Sequence, residues 1–104
     1  MIIVAGRLYV RAGSRDRFLA LSRPAMEAAR AHPACRDFVV AADPLEPDRV
    51  NVYERWDAWA PLRAFRADGP SPELGALIER SAVAEYAADV MRPAQTHPPK
   101  QENP

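Results

Sequence analysis

The sequence contains little cysteine, little histidine and no excess charge, and each shortage excludes a class of protein. Cys35 is the only cysteine among 104 residues, so no internal disulfide can form and a reducing, cytoplasmic location is expected. Fourteen basic and fourteen acidic residues cancel, which leaves no basic field for nucleic acid or an anionic membrane. The two histidines, His32 and His97, are far apart in the chain and predict no metal site.

The length and the composition predict one domain and a tail. A chain of 104 residues can bury a sufficient core without disulfides or metal. We expect residues 1–91 to form this domain. Residues 92–104 contain four prolines and no apolar periodicity, so this Pro-rich tail is predicted to be disordered.

The apolar periodicity predicts an alternation of strands and helices. In chain order it predicts a strand over 2–10, a helix over 15–31, strands over 37–42 and 49–56, a helix capped by Asp57, a short helix from Ser71 or Pro72 to about 80, and a strand over 82–91. For 82–91 the many alanines leave a helix as the alternative. This order is the split βαβ, or ferredoxin-like, arrangement, an α+β fold with helices on one face of an antiparallel sheet.

The second face of this sheet is predicted to be apolar. Strand alternation directs Ile3, Ala5, Tyr9 and Tyr53 away from the helices. A patch of this composition is too apolar to remain exposed on a monomer. We therefore expect a homodimer in which two sheets pack face to face.

Residues 48–65 contain the clearest candidate for a site, because a strand runs directly into a helix there. Trp56 lies at this junction, where the end of a sheet and the start of a helix leave a concave space that an indole can line. We expect Trp56 and Phe65 to face one another as walls of a ligand pocket. The alternative is that Trp56 is an ordinary core residue.

Glu54 shares the buried face of its strand with Trp56, because the two residues are two positions apart. Two interpretations remain open. Glu54 is either a buried carboxylate with a raised pKa that serves as a catalytic base, or a carboxylate paired with an arginine such as Arg63. Cys35 has no nearby base in the sequence, so we interpret it as a small hydrophobic residue.

Several segments of the chain resemble one known family. The first strand contains Ala-Gly-Arg-Leu-Tyr-Val, and residues 52–65 read Val-Tyr-Glu-Arg-Trp-Asp-Ala-Trp-Ala-Pro-Leu-Arg-Ala-Phe. They resemble the antibiotic biosynthesis monooxygenase (ABM) superfamily of dimeric α+β barrels, with Tyr-Glu-x-Trp before a helix as the most specific element. The resemblance covers residues 2–91 and implies a homodimer, binding of a small aromatic or quinol-like molecule, and oxygenation without a cofactor.

The departures from the family pattern affect the expected site. Phe65 stands where a helix histidine is common, and residues 69–71 lack the second histidine of quinol-oxidising relatives. Gly6 replaces the asparagine of haem-degrading relatives, and residues 74–81 lack their ligating histidine, so the usual residues of haem degradation are missing. Val52 replaces an asparagine of polyketide-tailoring relatives.

The leading hypothesis is a small monooxygenase-like protein that binds an aromatic or quinol-like molecule and oxygenates it with O2 without metal or cofactor. In the mechanism that the resemblance implies, deprotonation gives an electron-rich anion that passes an electron to O2. Glu54 is the candidate base, and the candidate substrate contacts are Trp56, Phe65, Val52 and Gly6. The alternative is a non-catalytic ligand-binding or structural dimer of the same fold.

Overall fold

A computed structural model describes residues 1–67, 69 and 71–95, and it confirms the α+β architecture. In chain order the elements are β1 (Ile2–Val10), α1 (Arg15–Ala31), β2 (Cys35–Ala42), β3 (Arg49–Trp56), α2 (Trp59–Arg66), α3 (Pro72–Ala76) and β4 (Ile78–Ala87). The strands form one antiparallel sheet in the order β2-β3-β1-β4. This is the ferredoxin-like arrangement predicted from the element order.

The rest of the described chain adds no further element. Residues 92–95 form neither helix nor strand and are exposed, and residues 96–104 of the predicted tail lie outside the described residues. Among the helices described, none combines the length and the apolar character needed to cross a membrane.

The first half of the fold follows the periodicity closely. β1, α1 and β3 have the predicted bounds. Pro24 lies inside α1, and the helix ends at the C-cap residue His32, since Pro33 disfavours helical backbone in the residue before it. β2 begins at Cys35, two residues earlier than predicted.

The start of α2 differs from the prediction that Asp57 caps it. The helix begins at Trp59, and Ala58 occupies the N-cap position without a side-chain cap. The Asp57 carboxylate instead accepts two hydrogen bonds from the Arg36 guanidinium, at 2.7 and 3.2 Å. A charge-assisted, bidentate pair of this kind is stronger than a capping bond to a neutral amide, so it determines where the carboxylate points.

The end of the chain also differs from the prediction. α3 ends at Ala76 and β4 covers 78–87, so the predicted strand over 82–91 was placed four residues too far along the chain. Ser71 does cap α3, accepting a hydrogen bond from the Leu74 amide. Pairing with β1 sets the bounds of β4, from Val10 opposite Ile78 to Ile2 opposite Ala87.

Alternation along the strands divides the sheet into a face covered by helices and an open face. The covered face carries two groups of buried side chains. The first consists of Ile2, Val4, Ala29, Phe38, Trp56 and Leu62, and the second of Val10, Phe18, Val50 and Leu77. Because α1 contributes to both groups, it holds the strands together along their length.

The open face carries the apolar residues that the alternation placed there. Ile3, Ala5, Tyr9 and Tyr53 are half-buried within a single chain, since neighbouring side chains cover part of each. Tyr86, on the edge strand of the same face, remains 55 % exposed. A homodimer through this face stays a prediction.

Gly6 allows β1 and β4 to lie unusually close together. Its φ is +152°, a region that L side chains rarely adopt. A Cβ atom built at this position would lie 2.1 Å from the carbonyl oxygen of Ala82 and 2.7 Å from the Cα of Val83. The position thus requires glycine.

We predict that Gly6→Ala lowers the free energy of unfolding by more than about 2 kcal/mol, because the methyl group meets backbone atoms that cannot rotate away. Gly75→Ala is the matched control. Within the described part of the chain, no atom beyond the helix's own backbone and the neighbouring residues lies within 4 Å of a Cβ built at Gly75, so this change should leave stability unchanged or raise it by up to about 1 kcal/mol. Urea denaturation measures both, and equal midpoints for the two variants would contradict the prediction.

Candidate functional site

A cavity of about 660 Å³ lies between the helices and the covered face of the sheet. Most of its lining side chains are apolar: Leu8, Phe18, Pro24, Ala25, Ala28, Phe38, Val40, Val52, Phe65, Leu74 and Ile78. Ser22, Glu54 and Arg66 add polar groups, but the Ser22 hydroxyl donates to the Phe18 carbonyl within α1. An apolar cavity of this size with a few converging polar groups is typical of a small-molecule site.

Glu54 is the buried charged residue of this cavity. It lies on the covered face of β3, where it is 7 % exposed. Its carboxylate oxygen Oε1 accepts a hydrogen bond of 3.0 Å from the indole Nε1–H of Trp56. Its hydrogen-bond partner is therefore Trp56 rather than Arg63, whose guanidinium lies over the Trp59 ring at 5.5 Å.

Burial raises the pKa of the Glu54 carboxyl above its ordinary value. The hydrogen bond from Trp56 and the positive charge of Arg66 both lower this pKa, whereas the negative charge of Glu85 raises it, and burial outweighs the two lowering effects. A carboxylate in this environment binds a proton more readily than one in water. It is therefore a stronger base toward a bound ligand.

Trp56 lies behind the cavity wall rather than on it. The side chain is fully buried, and its ring packs against Phe65 at a centroid distance of 5.3 Å and against His32 at 5.7 Å. Phe65 in turn contacts Phe38 edge-on at 5.7 Å. In this arrangement Trp56 orients Glu54 and supports Phe65, and a direct contact between Trp56 and a ligand stays a prediction.

Of the other predicted substrate contacts, two line the cavity and one does not. Val52 and Phe65 line the cavity. Gly6 lies on the covered face directly opposite Val52 in the β1–β3 register, but the cavity lining does not include it. Its close approach to Ala82 and Val83 is its observed role, and a substrate contact at Gly6 stays a prediction.

Two charged residues of the site, Arg66 and Glu85, were missed from the sequence. Arg66 lies at the end of α2 and lines the cavity. Its guanidinium forms an ion pair with the Glu85 carboxylate of β4. The sequence does indicate the position of Glu85. Side chains two positions apart in a strand lie on the same face, so Glu85 shares the covered face with Val83.

Cys35 does not line the cavity. Burial raises the pKa of the Cys35 thiol, with a further contribution from the charge of Glu54, so the thiol stays protonated and its Sγ donates to the Asp37 carbonyl at 3.3 Å. Over the described part of the chain, no three histidine, cysteine or acidic side chains cluster closely enough to hold a metal ion.

The family model for antibiotic biosynthesis monooxygenases matches residues 1–73. The chain belongs to this family. The matched region contains Glu54, Phe65 and Arg66 and ends before β4, which carries Glu85. Among curated proteins, none matches the chain.

Solved structures show the same ABM fold. A Deinococcus radiodurans protein described as an antibiotic biosynthesis monooxygenase has a TM-score of 0.80 at 20% identity, over 92% of this chain and 100% of that one. Two others described in the same way come from Chloroflexus aurantiacus (0.73, 23% identity, 88% and 95% covered) and Nitrosomonas europaea (0.76, 14% identity, 85% and 98% covered). At these identities the likeness shows the fold alone.

We predict that the stability of this ABM protein falls as pH rises through the pKa of Glu54. Because that pKa is raised in the folded state, folding gains a stabilising contribution that is complete below the ordinary pKa of glutamate and is lost as pH rises through the raised value. Glu54→Gln cannot titrate and should lack this loss. Chemical denaturation of the wild type and Glu54→Gln over this pH range measures the difference in their free energies of unfolding.

Trp56→Phe is the matched variant for this measurement. It keeps a ring in the core but removes the indole N–H that lowers the pKa of Glu54, so the loss of stability should extend to higher pH. Parallel stability curves for the wild type and Glu54→Gln would contradict the prediction, since Glu54 would then titrate alike in the folded and unfolded chains.

Proposed function

We propose that this protein binds an aromatic or quinol-like molecule in the cavity and oxygenates it with O2 without a cofactor. The observation that carries the proposal is the buried Glu54 carboxylate, which accepts a hydrogen bond of 3.0 Å from Trp56 and lines a mostly apolar cavity. Membership of the ABM family supports the same reaction class.

The proposed reaction begins with transfer of a phenolic proton from the substrate to Glu54. The resulting phenolate is electron-rich enough to pass one electron to O2, and the two radicals combine at a ring carbon that carries hydrogen. Loss of that hydrogen and cleavage of the O–O bond leave a quinone and one molecule of water, so one oxygen atom enters the ring and the substrate supplies all four electrons. The protein supplies orientation, a base and exclusion of bulk water.

A second candidate function is a non-catalytic ligand-binding or structural dimer of the same fold. Phe65 favours it, since an apolar ring lines the cavity at the position where relatives commonly carry an imidazole. The cavity then keeps the shape of a binding site in which Glu54 is the one buried charged residue among the described lining residues. Binding of an aromatic ligand without any O2 uptake is the result expected for this function.

We predict that metal-free protein consumes O2 with a panel of naphthols and hydroquinones and that Glu54→Gln reduces the rate at least about a hundredfold, the usual effect of losing a general base. The wild-type rate should rise with pH as the Glu54 carboxyl, whose pKa is raised by burial, loses its proton. An oxygen electrode and quinone absorbance measure the rate and the stoichiometry.

Glu27→Gln is the control for this experiment, because Glu27 lies on the exposed face of α1 and pairs there with Arg23. It should oxidise the panel at the wild-type rate. Equal rates for the wild type, Glu54→Gln and a protein-free solution would show that the uptake is autoxidation and would remove the catalytic proposal.

We also propose that the open sheet face forms a homodimer. Ile3, Ala5, Tyr9 and Tyr53 form the apolar part of this face. These side chains are only half-buried in a single chain, and Tyr86 on the same face is 55 % exposed. Packing a second copy on this face would bury them.

The dimer is tested by Tyr53→Asp, which places a charge at the centre of the proposed interface. An interface of this kind should bury more than about 1,000 Å², and an unpaired carboxylate there should shift the protein toward monomer. Light scattering at micromolar concentration should give twice the chain mass for the wild type and less for the variant. A monomeric wild type would refute the dimer.

A further inference from the structure

Three charged side chains, from three different elements, lie at or beside the cavity. On the covered face, Val4 of β1 lies opposite Glu54 on one side and opposite Glu85 on the other, so the two acidic residues are about 10 Å apart in backbone position. Arg66 of α2 lines the cavity and pairs with Glu85. The lining residues from α1 and β2 are uncharged, which leaves Arg66 as the cation of the cavity wall.

Arg66 acts electrostatically on the interior of the cavity as well as on its partner. Its positive charge lowers the pKa of the buried Glu54 carboxyl, while Glu85 raises it. The ion pair itself is accessible, with 43 % of the Arg66 side chain and 38 % of the Glu85 side chain exposed. Exposed ion pairs are weakly held, so a second anion placed in the cavity can compete with Glu85 for the guanidinium.

We propose that Arg66 is the anion-binding, specificity-determining residue of the cavity, held by Glu85 when no ligand is bound, and that the cavity selects ligands presenting a phenolate or enolate oxygen on an apolar ring. This inference rests on the proposed function, because the oxygen that Arg66 binds is the substrate oxygen from which Glu54 takes the proton. A guanidinium suits that role, since it stays charged and donates several hydrogen bonds in one plane.

The assignment also explains how a site with one buried carboxylate can stabilise an anion. Deprotonation of a phenol by Glu54 moves the negative charge from the protein to the ligand, so the net charge inside the cavity is conserved. A nearby guanidinium stabilises that charge at its new position. A neutral arene carries no such charge and would not benefit from Arg66.

The test uses two probes of nearly the same shape, 4-nitrophenol and 4-nitrotoluene, with the full-length wild type and three variants. Visible absorbance reports the fraction of bound 4-nitrophenol that is ionised as pH is varied, and equilibrium dialysis reports the affinity for 4-nitrotoluene. The variants are Arg66→Gln, Glu85→Gln and the control Arg63→Gln, which lies one turn earlier in α2 beside Trp59.

Neutralising Arg66 and neutralising Glu85 should change the ratio of bound phenolate to bound phenol in opposite directions. Arg66→Gln should reduce the ratio of bound phenolate to bound phenol about tenfold at a given pH, because the phenolate loses one nearby positive charge. Glu85→Gln should raise that ratio about threefold, because it frees the guanidinium. Arg63→Gln should change nothing, and 4-nitrotoluene should bind all four proteins alike.

A purely structural ion pair would behave differently, since removing either member breaks it equally. Equal or absent effects of Arg66→Gln and Glu85→Gln on the phenolate ratio, with 4-nitrotoluene still bound, would overturn the role of Arg66 and leave the proposed function standing. If neither probe binds the wild type, the aromatic site itself is wrong, and the inference falls with it.

Discussion

The hydrogen bond from the Trp56 indole to the Glu54 carboxylate is the contact on which the cavity depends. The two residues lie on the same side of one strand, and Glu54 is held there at 7 % exposure with no ion pair to any residue that the structure describes. Removing either partner leaves a buried polar group unpaired, which costs about 1–3 kcal/mol. The contact also fixes the direction of the carboxylate, because a fully buried indole packed on Phe65 has little freedom to follow it.

The second constraint is the close packing of β1 and β4 at Gly6. A side chain there would strike the backbone at Ala82 and Val83, and separating the strands would carry Glu85 away from α2. The glycine therefore acts on the site from a distance, through the position of the edge strand. Its φ of +152° explains why a position inside a strand has no β-branched residue.

The predictable part of the fold is the part where local pattern and tertiary contacts agree. β1, α1 and β3 have strong apolar periodicity, and their bounds follow from it. Asp57 failed as a predicted cap because Arg36, 21 residues earlier, holds its carboxylate. β4 was misplaced because an alanine-rich segment has weak preferences of its own, so pairing with β1 decides where it begins.

The sequence predicts on which face of the sheet the site residues lie, but not how deeply each of them is buried. Strand parity correctly placed Glu54 and Trp56 on one side of β3, yet it cannot tell a residue that lines a cavity from one buried behind it. That distinction depends on α2, which brings Phe65 and Arg66 to the cavity that Glu54 lines. Burial and the negative charge of Glu85 raise the pKa of the Glu54 carboxyl, whereas the hydrogen bond from Trp56 and the positive charge of Arg66 lower it. Glu85, on the edge strand, thus shifts the pKa of the Glu54 carboxyl through its charge.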